Sequence, residues 1–144
     1  MARKMTEPER EEFLAAPWIA VLSVAAEPGH APLAVPVWYE YVPGVGITLL
    51  TPSRSRKARL LRAAGRASLC VQRTDPPRKY VYVEGAVTEV RDPAVYEDRR
   101  AMADRYLGPE AGDAYVRSSA DQTPKIAVFR LHPEHWLCED QSPE

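Results

Sequence analysis

The sequence predicts an α+β protein built on an antiparallel β-barrel with flanking helices, and three observations carry that expectation. Short apolar or alternating segments come in neighbouring pairs joined by turn residues, the pattern of hairpins. Helical segments lie between and after these pairs, without the regular alternation that builds a doubly wound parallel sheet. The chain has 144 residues, enough for one compact core and too few for two full domains, so a single domain over residues 1–144 is expected.

In order, Glu7–Leu14 reads as a short helix, capped by Thr6, with acids in its first turn and Pro17 closing it. Trp18–Ala25 and Pro32–Tyr41 read as strands around the turn residues Glu27–Gly29, together a first hairpin. Pro36 removes a ladder donor inside the second strand. That predicts an edge or a bulge whose backbone is free to meet a flat ligand. Gly46–Leu50 is short, apolar and partly β-branched, hence a buried strand. A basic helix follows at once, with Ser53 or Ser55 as its cap and Gly65 at its end.

Arg66–Arg73 and Lys79–Val90, joined across Thr74–Pro77, form a second hairpin. In the longer strand Val81, Val83, Gly85 and Val87 face one way, and Tyr82, Glu84, Ala86 and Thr88 the other. The period then changes. Asp92–Leu107 has an N-cap at Asp92, Pro93 in the first turn, and apolar spacing through Val95, Met102 and Tyr106 or Leu107. Gly108 and Pro109 stop this helix, Glu110–Val116 is a shorter one, and Lys125–Leu131 returns as a strand ahead of His135–Cys138.

The formal net charge of −1 provides no global field to recruit nucleic acid or an acidic membrane. The sequence shows no nucleic-acid recognition motif, no apolar leader and no long apolar run, so a cytoplasmic protein with neither partner is expected. Cys70 reads as a small core residue, and its distance in sequence from Cys138 makes no redox or zinc signature. His132, His135 and Cys138 have a metal-like spacing, but strand positions three apart face opposite ways and Pro133 interrupts a helix. No metal site is expected there.

Charge is unevenly placed, however. Arg54, Arg56, Lys57, Arg59, Arg62, Arg66, Arg73, Arg78 and Lys79 are opposed within their own stretch only by Asp75, which predicts a local basic groove. The segment Thr51–Arg62 joins the buried strand to the basic helix through small hydroxyl residues. A helix start carries unpaired N–H groups and the positive dipole end, and Arg54, Arg56 and Lys57 add formal charge to it. The expected ligand is a phosphorylated small molecule.

Several segments, taken in order, carry a family likeness: Pro36–Trp38, Thr51, Ser55–Lys57 with the basic helix after it, Arg66–Leu69, Tyr80–Gly85 and the closing His132–Trp136. In these the sequence resembles the pyridoxamine-phosphate-oxidase-like flavin and deazaflavin split β-barrel proteins, most nearly the small members associated with the deazaflavin coenzyme F-420. Leu60-Leu61 replaces the family's Asn-Leu, and Ala64–Arg66 replaces its Asp-Pro-Arg turn.

The resemblance implies a homodimeric split barrel with coenzyme F-420, or alternatively FMN, at the subunit interface. It implies hydride transfer with a small organic substrate, the cofactor carrying the redox step. Lys57 and Arg56 would anchor phosphate, Thr51 and Ser55 would donate hydroxyls, and Pro36, Val37 and Trp38 would form the wall beside the ring. Tyr80 and Tyr82 would face substrate or the second subunit, and the segments Pro43–Gly46 and Leu107–Gln122 would close over the ring. No catalytic side chain is assigned. The surplus arginines favour the deazaflavin, whose polyglutamate tail is anionic beyond its phosphate. A nonenzymatic carrier of the same cofactor is the alternative.

Overall fold

The computed structural model describes residues 2–143. Its strands are β1 (Arg3–Lys4), β2 (Ala20–Val24), β3 (Leu33–Val37), β4 (Glu40–Val42), β5 (Gly46–Pro52), β6 (Arg66–Arg73), β7 (Lys79–Arg91) and β8 (Ile126–Asp140). Its helices are α1 (Glu7–Ala15), α2 (Arg56–Ala64), α3 (Tyr96–Leu107) and α4 (Pro109–Ser118), with a 3-10 turn at Ala120–Lys125. All strand pairs are antiparallel, in the order β3-β2-β6-β7-β8-β5-β4, with β1 added to the end of β8.

The two end strands of that path, β3 and β4, are separated in the chain by Trp38 and Tyr39 alone. The sheet must therefore curl until its ends meet, yet no ladder joins them. This is an α+β split barrel, as the sequence predicts. β8 is its hub, pairing with β7 along one edge and with β5 through Ile126–Leu131 along the other. The inward positions follow the strand period. Leu22, Leu69, Val71, Val81, Val83, Phe129 and Leu131 are buried together, and α2 covers them with Ala58, Leu60 and Leu61.

The structure corrects several expectations. The single strand expected over Pro32–Tyr41 is broken at Trp38 and Tyr39, because side chains take the hydrogen bonds that a ladder would have used. Tyr39 N–H donates to Tyr106 Oη at 3.0 Å, and Tyr39 carbonyl accepts from Arg105 Nε at 2.7 Å. The same Arg105 donates to the carbonyls of Leu14, Ala15 and Ala16, at 3.0, 2.8 and 2.8 Å. It thus serves the C-terminal end of α1, whose last turn has no basic residue of its own. α3 is thereby fixed across the break.

α3 begins at Tyr96 rather than near Asp92, because Asp98 accepts the Val95 N–H at 2.9 Å and makes the cap there. Asp92 instead accepts from Ser53 Oγ at 2.6 Å. α4 is longer than Glu110–Val116 at both ends. β8 runs through Pro133 as one strand, tolerated because the register slips there. Glu84 faces His135 and Gly85 faces Pro133, which leaves Glu134 as an extra bulged residue. Gly85 is required at that slip: a Cβ on it would lie 1.8 Å from His132 carbonyl oxygen. Pro36 sits on β3, an end strand, so its missing donor costs no ladder bond. Cys70 is not a core residue; Leu69 and Val71 point inward and Cys70 outward, half-buried.

Candidate functional site

The turn from β5 into α2 is built by two hydroxyls. Ser55 Oγ accepts from Ala58 N–H at 3.1 Å and donates to Pro52 carbonyl at 2.8 Å, which starts α2 directly after the strand. The buried Thr51 places its Oγ1 3.2 Å from Ser55 Oγ. Arg56 and Lys57 occupy the first turn, so their N–H groups have no acceptor within the helix.

Lys57 is half-buried there, and burial alone pushes its ammonium below the ordinary lysine value. Its position at the positive end of α2 is also unfavourable for a cation. Both effects are relieved by a bound anion.

Lys57 opens into a cleft of about 290 Å³. Pro36, Val37 and Trp38 form one wall and Leu50, Thr51, Pro52 and Ile126 the floor, while α3 and α4 contribute Arg99, Met102, Ala103 and Tyr115. The Trp38 ring is held flat against Tyr106, with centroids 4.5 Å apart and planes 6° from parallel. Tyr106 Oη donates to Trp18 carbonyl at 2.6 Å, and its burial pushes the phenol pKa up.

The cleft thus brings together Pro36, Val37, Trp38, Thr51 and Lys57 of the residues expected from the sequence. Ser55 lies beneath them as the helix cap. Arg56 is elsewhere, with its guanidinium held by Glu27 at 2.7 and 3.2 Å. The basic groove expected along the helix is neutralised only in part by acids from distant strands and loops, and Arg59, Arg73 and Arg78 make no ion pair among the described residues. Arg62 meets Glu89 at 2.6 Å and Asp92 at 3.5 Å, Arg66 meets Glu134 at 3.0 Å, and Lys79 meets Asp140 at 3.8 Å. Arg54 keeps no ion pair among the described residues, and borders a second hollow with Lys125 that shares Pro52 with the cleft.

Tyr80 and Tyr82 do not line the cleft. Tyr82 belongs to an outward row across the sheet, Pro36–Val21–Cys70–Tyr82–Leu137, matched position by position. Val21 and Leu137 in that row are exposed, at 38% and 48%. Of the segments expected to close over the ring, Leu107–Gln122 supplies Tyr115 to the cleft. Gly44–Gly46 instead lines a hollow with Arg10, His132 and Trp136. Among the described residues no group of three or more His, Cys, Asp or Glu is placed to hold a metal ion, and no helix is long and apolar enough to cross a membrane.

The contribution of α3 was not foreseen from sequence. Arg99 stands in a charged run that resembles a solvated helix face, and its burial depends on Ser119 and Thr123 far along the chain. Only the apolar position of Met102 gave any signal.

A family model described as pyridoxamine 5'-phosphate oxidase matches residues 6–138. The chain belongs to that family. Among solved structures, a conserved hypothetical protein of Mycobacterium tuberculosis is 25% identical, with 95% of this chain and 86% of that one covered and a TM-score of 0.76. An F-420 reductase is 21% identical over 88% of this chain and 94% of that one, with a TM-score of 0.69. A FAD-binding protein of Mesorhizobium loti is also 21% identical, with 99% of both chains covered and a TM-score of 0.71. These two likenesses show a shared fold. No curated protein matches.

Proposed function

We propose that this member of the pyridoxamine 5'-phosphate oxidase family is an oxidoreductase that binds coenzyme F-420, or FMN, in the Lys57 cleft and acts on a small organic substrate. The observation that carries this reading is Lys57 itself. It is a half-buried cation without a carboxylate partner among the described residues, set at a helix start beside the apolar wall of Pro36, Val37 and Trp38. Such a cleft fits a ligand with a phosphate at one end and a flat ring at the other.

In this reading Lys57 and the α2 N–H groups hold the phosphate, Thr51 and Ser55 keep that turn in shape, and Trp38, braced by Tyr106, orients the ring. When bound, the cofactor supplies hydride transfer, and the chain supplies anchoring, orientation and exclusion of water. Among the described residues the cleft is lined by no carboxylate, imidazole or thiol, so no general acid is assigned.

The preference for the deazaflavin rests on the family likeness and on Arg54 and Lys125, which line a hollow that shares Pro52 with the cleft and whose one carboxylate, Asp92, is engaged by Ser53 and Arg62. The neutralised Arg56, Arg62 and Arg66 no longer support it. The outward row from Pro36 to Leu137 supports a homodimer, since a second copy seated on it would reach the rim of the cleft at Pro36.

Titration of the purified protein with FMN and with coenzyme F-420, followed by absorbance and Trp fluorescence, tests the reading. Saturable binding that weakens in Lys57→Ala is expected, and failure of both cofactors to bind overturns it. A neighbour of this fold is described by FAD binding rather than by turnover. Binding without reoxidation of the reduced cofactor by any acceptor would favour the carrier alternative.

A further inference from the structure

Arg99 is a buried guanidinium, 6% exposed, on the wall of the cleft that also holds Lys57. Its Nη1 donates to Ser119 carbonyl at 2.8 Å and Thr123 Oγ1 at 3.1 Å, and its Nη2 to Ser119 Oγ at 2.9 Å. Every one of these acceptors is neutral. Several exposed arginines show the reverse: Arg56, Arg62, Arg66, Arg91 and Arg117 each meet a carboxylate. Stability alone favours the opposite distribution, because a buried charge without a counter-charge costs far more than an exposed one.

Arg105 is a useful contrast. All three of its nitrogens are committed to carbonyls, and it does not line the cleft. Arg99 is steered through its Nη atoms by the end of α4, while its Nε–H makes no hydrogen bond among the described residues. A guanidinium fixed on one edge and free on the other is pre-organised for a planar oxyanion.

We propose that Arg99 is a second oxyanion anchor of the cleft, binding a phosphate or carboxylate group of the ligand in addition to the Lys57 end. The proposal rests on the cofactor reading above only for the identity of that ligand. The group comes either from the cofactor or from a substrate bound beside it, and the two sources are separable.

The test uses inorganic phosphate and benzoate as probes on the full chain. In the wild-type protein the Arg99 Nε–H NMR signal should shift on adding at least one of them. The rise in Tm that this probe produces should be lost in Arg99→Gln. Should Arg99→Gln fail to fold, the wild-type NMR signal decides, with Arg99→Lys as the folded comparison. No shift with either probe, or equal thermal protection of wild type and variant, overturns the proposal and leaves Arg99 as a tie between α3 and the end of α4.

The source is read by comparing FMN with riboflavin. Loss of about tenfold or more in FMN affinity in Arg99→Gln, with riboflavin unchanged, assigns the anchor to the cofactor phosphate. Unchanged flavin affinities with benzoate binding lost assign it to a substrate carboxylate. A protein that binds no flavin or deazaflavin and still binds the probes through Arg99 overturns the cofactor reading alone.

Discussion

Arg56 and Lys57 are adjacent in sequence, yet the fold gives them opposite charge environments. Arg56 Nη2 lies 2.7 Å from Glu27 Oε1, while Lys57 enters the cleft with burial as the sole cause of its lowered pKa. The helix start separates them, since successive residues of a helix point about 100° apart. Only Lys57 is left needing an anion.

This difference predicts unequal effects of two neighbouring substitutions. Lys57→Ala removes a charge-assisted phosphate contact and should weaken FMN or F-420 binding about ten- to hundredfold, without loss of Tm. Arg56→Ala breaks an exposed ion pair of a kind worth about 0–1 kcal/mol, and should change affinity by less than about threefold. Fluorescence titration of both variants checks this; equal effects would remove Lys57 from its role.

The dimer surface gives a second prediction. Val21 lies midway between Pro36 and Cys70 in the outward row and does not line the cleft. Val21→Glu should convert a dimer to a monomer by light scattering and, with the rim left open, should also weaken cofactor binding. A wild-type protein already monomeric at micromolar concentration would count against the interface.

How much of this was legible in the sequence depended on the range of the interactions. The β6–β7 hairpin and the Ser55 cap are local, and alternation or spacing shows them directly. Lys57 followed from that cap. The break at Trp38 and Tyr39 depends on Arg105 and Tyr106, 66 and 67 residues away from Tyr39, and no local pattern could reveal it. The partial neutralisation of the basic helix is hidden for the same reason, because Glu89, Asp92 and Glu134 come from other elements. A charge run read along the chain counts cations without their eventual partners. The cleft contribution of α3, Met102 apart, was hidden on both grounds.

Glu9 predicts an acid-sensitive step. Its carboxylate accepts from Arg3 at 2.6 Å and from the Thr6 N–H at 3.0 Å, and chiefly through the Arg3 hydrogen bond its pKa falls from 4.5 to about 2. A depressed folded-state pKa stabilises the protein above the ordinary carboxylate value, and that contribution is lost as pH falls through about 4.5 toward 2. The Tm difference between wild type and Glu9→Gln should therefore shrink across this window. A difference independent of pH would show that Glu9 acts only through its shape.

Gly85 makes a steric prediction. The 1.8 Å approach of a Cβ to His132 carbonyl oxygen involves backbone on both strands, so it cannot be relieved by turning a side chain. Gly85→Ala should cost about 3 kcal/mol or more, or prevent folding, while Gly112→Ala, whose closest backbone neighbour is Asp104 N at 2.7 Å, needs a smaller backbone shift and should cost less. Thermal melts of the two variants compare them directly. A Gly85→Ala protein as stable as wild type would mean that the strands can separate at the bulge.

Tyr106 joins fold and site, and two substitutions separate its roles. Tyr106→Phe keeps the ring beside Trp38 but leaves the Tyr39 N–H and the Trp18 carbonyl without that partner, at a cost of about 1–3 kcal/mol. Its Tm should fall with little change in cofactor affinity. Tyr106→Ala also removes the 4.5 Å stack, freeing the Trp38 ring that forms the cleft wall, so affinity should fall as well. Measured side by side, the phenylalanine variant reads the hydrogen bonds and the alanine variant reads the wall. If both bind cofactor as tightly as wild type, the orientation of Trp38 has no part in holding the ring.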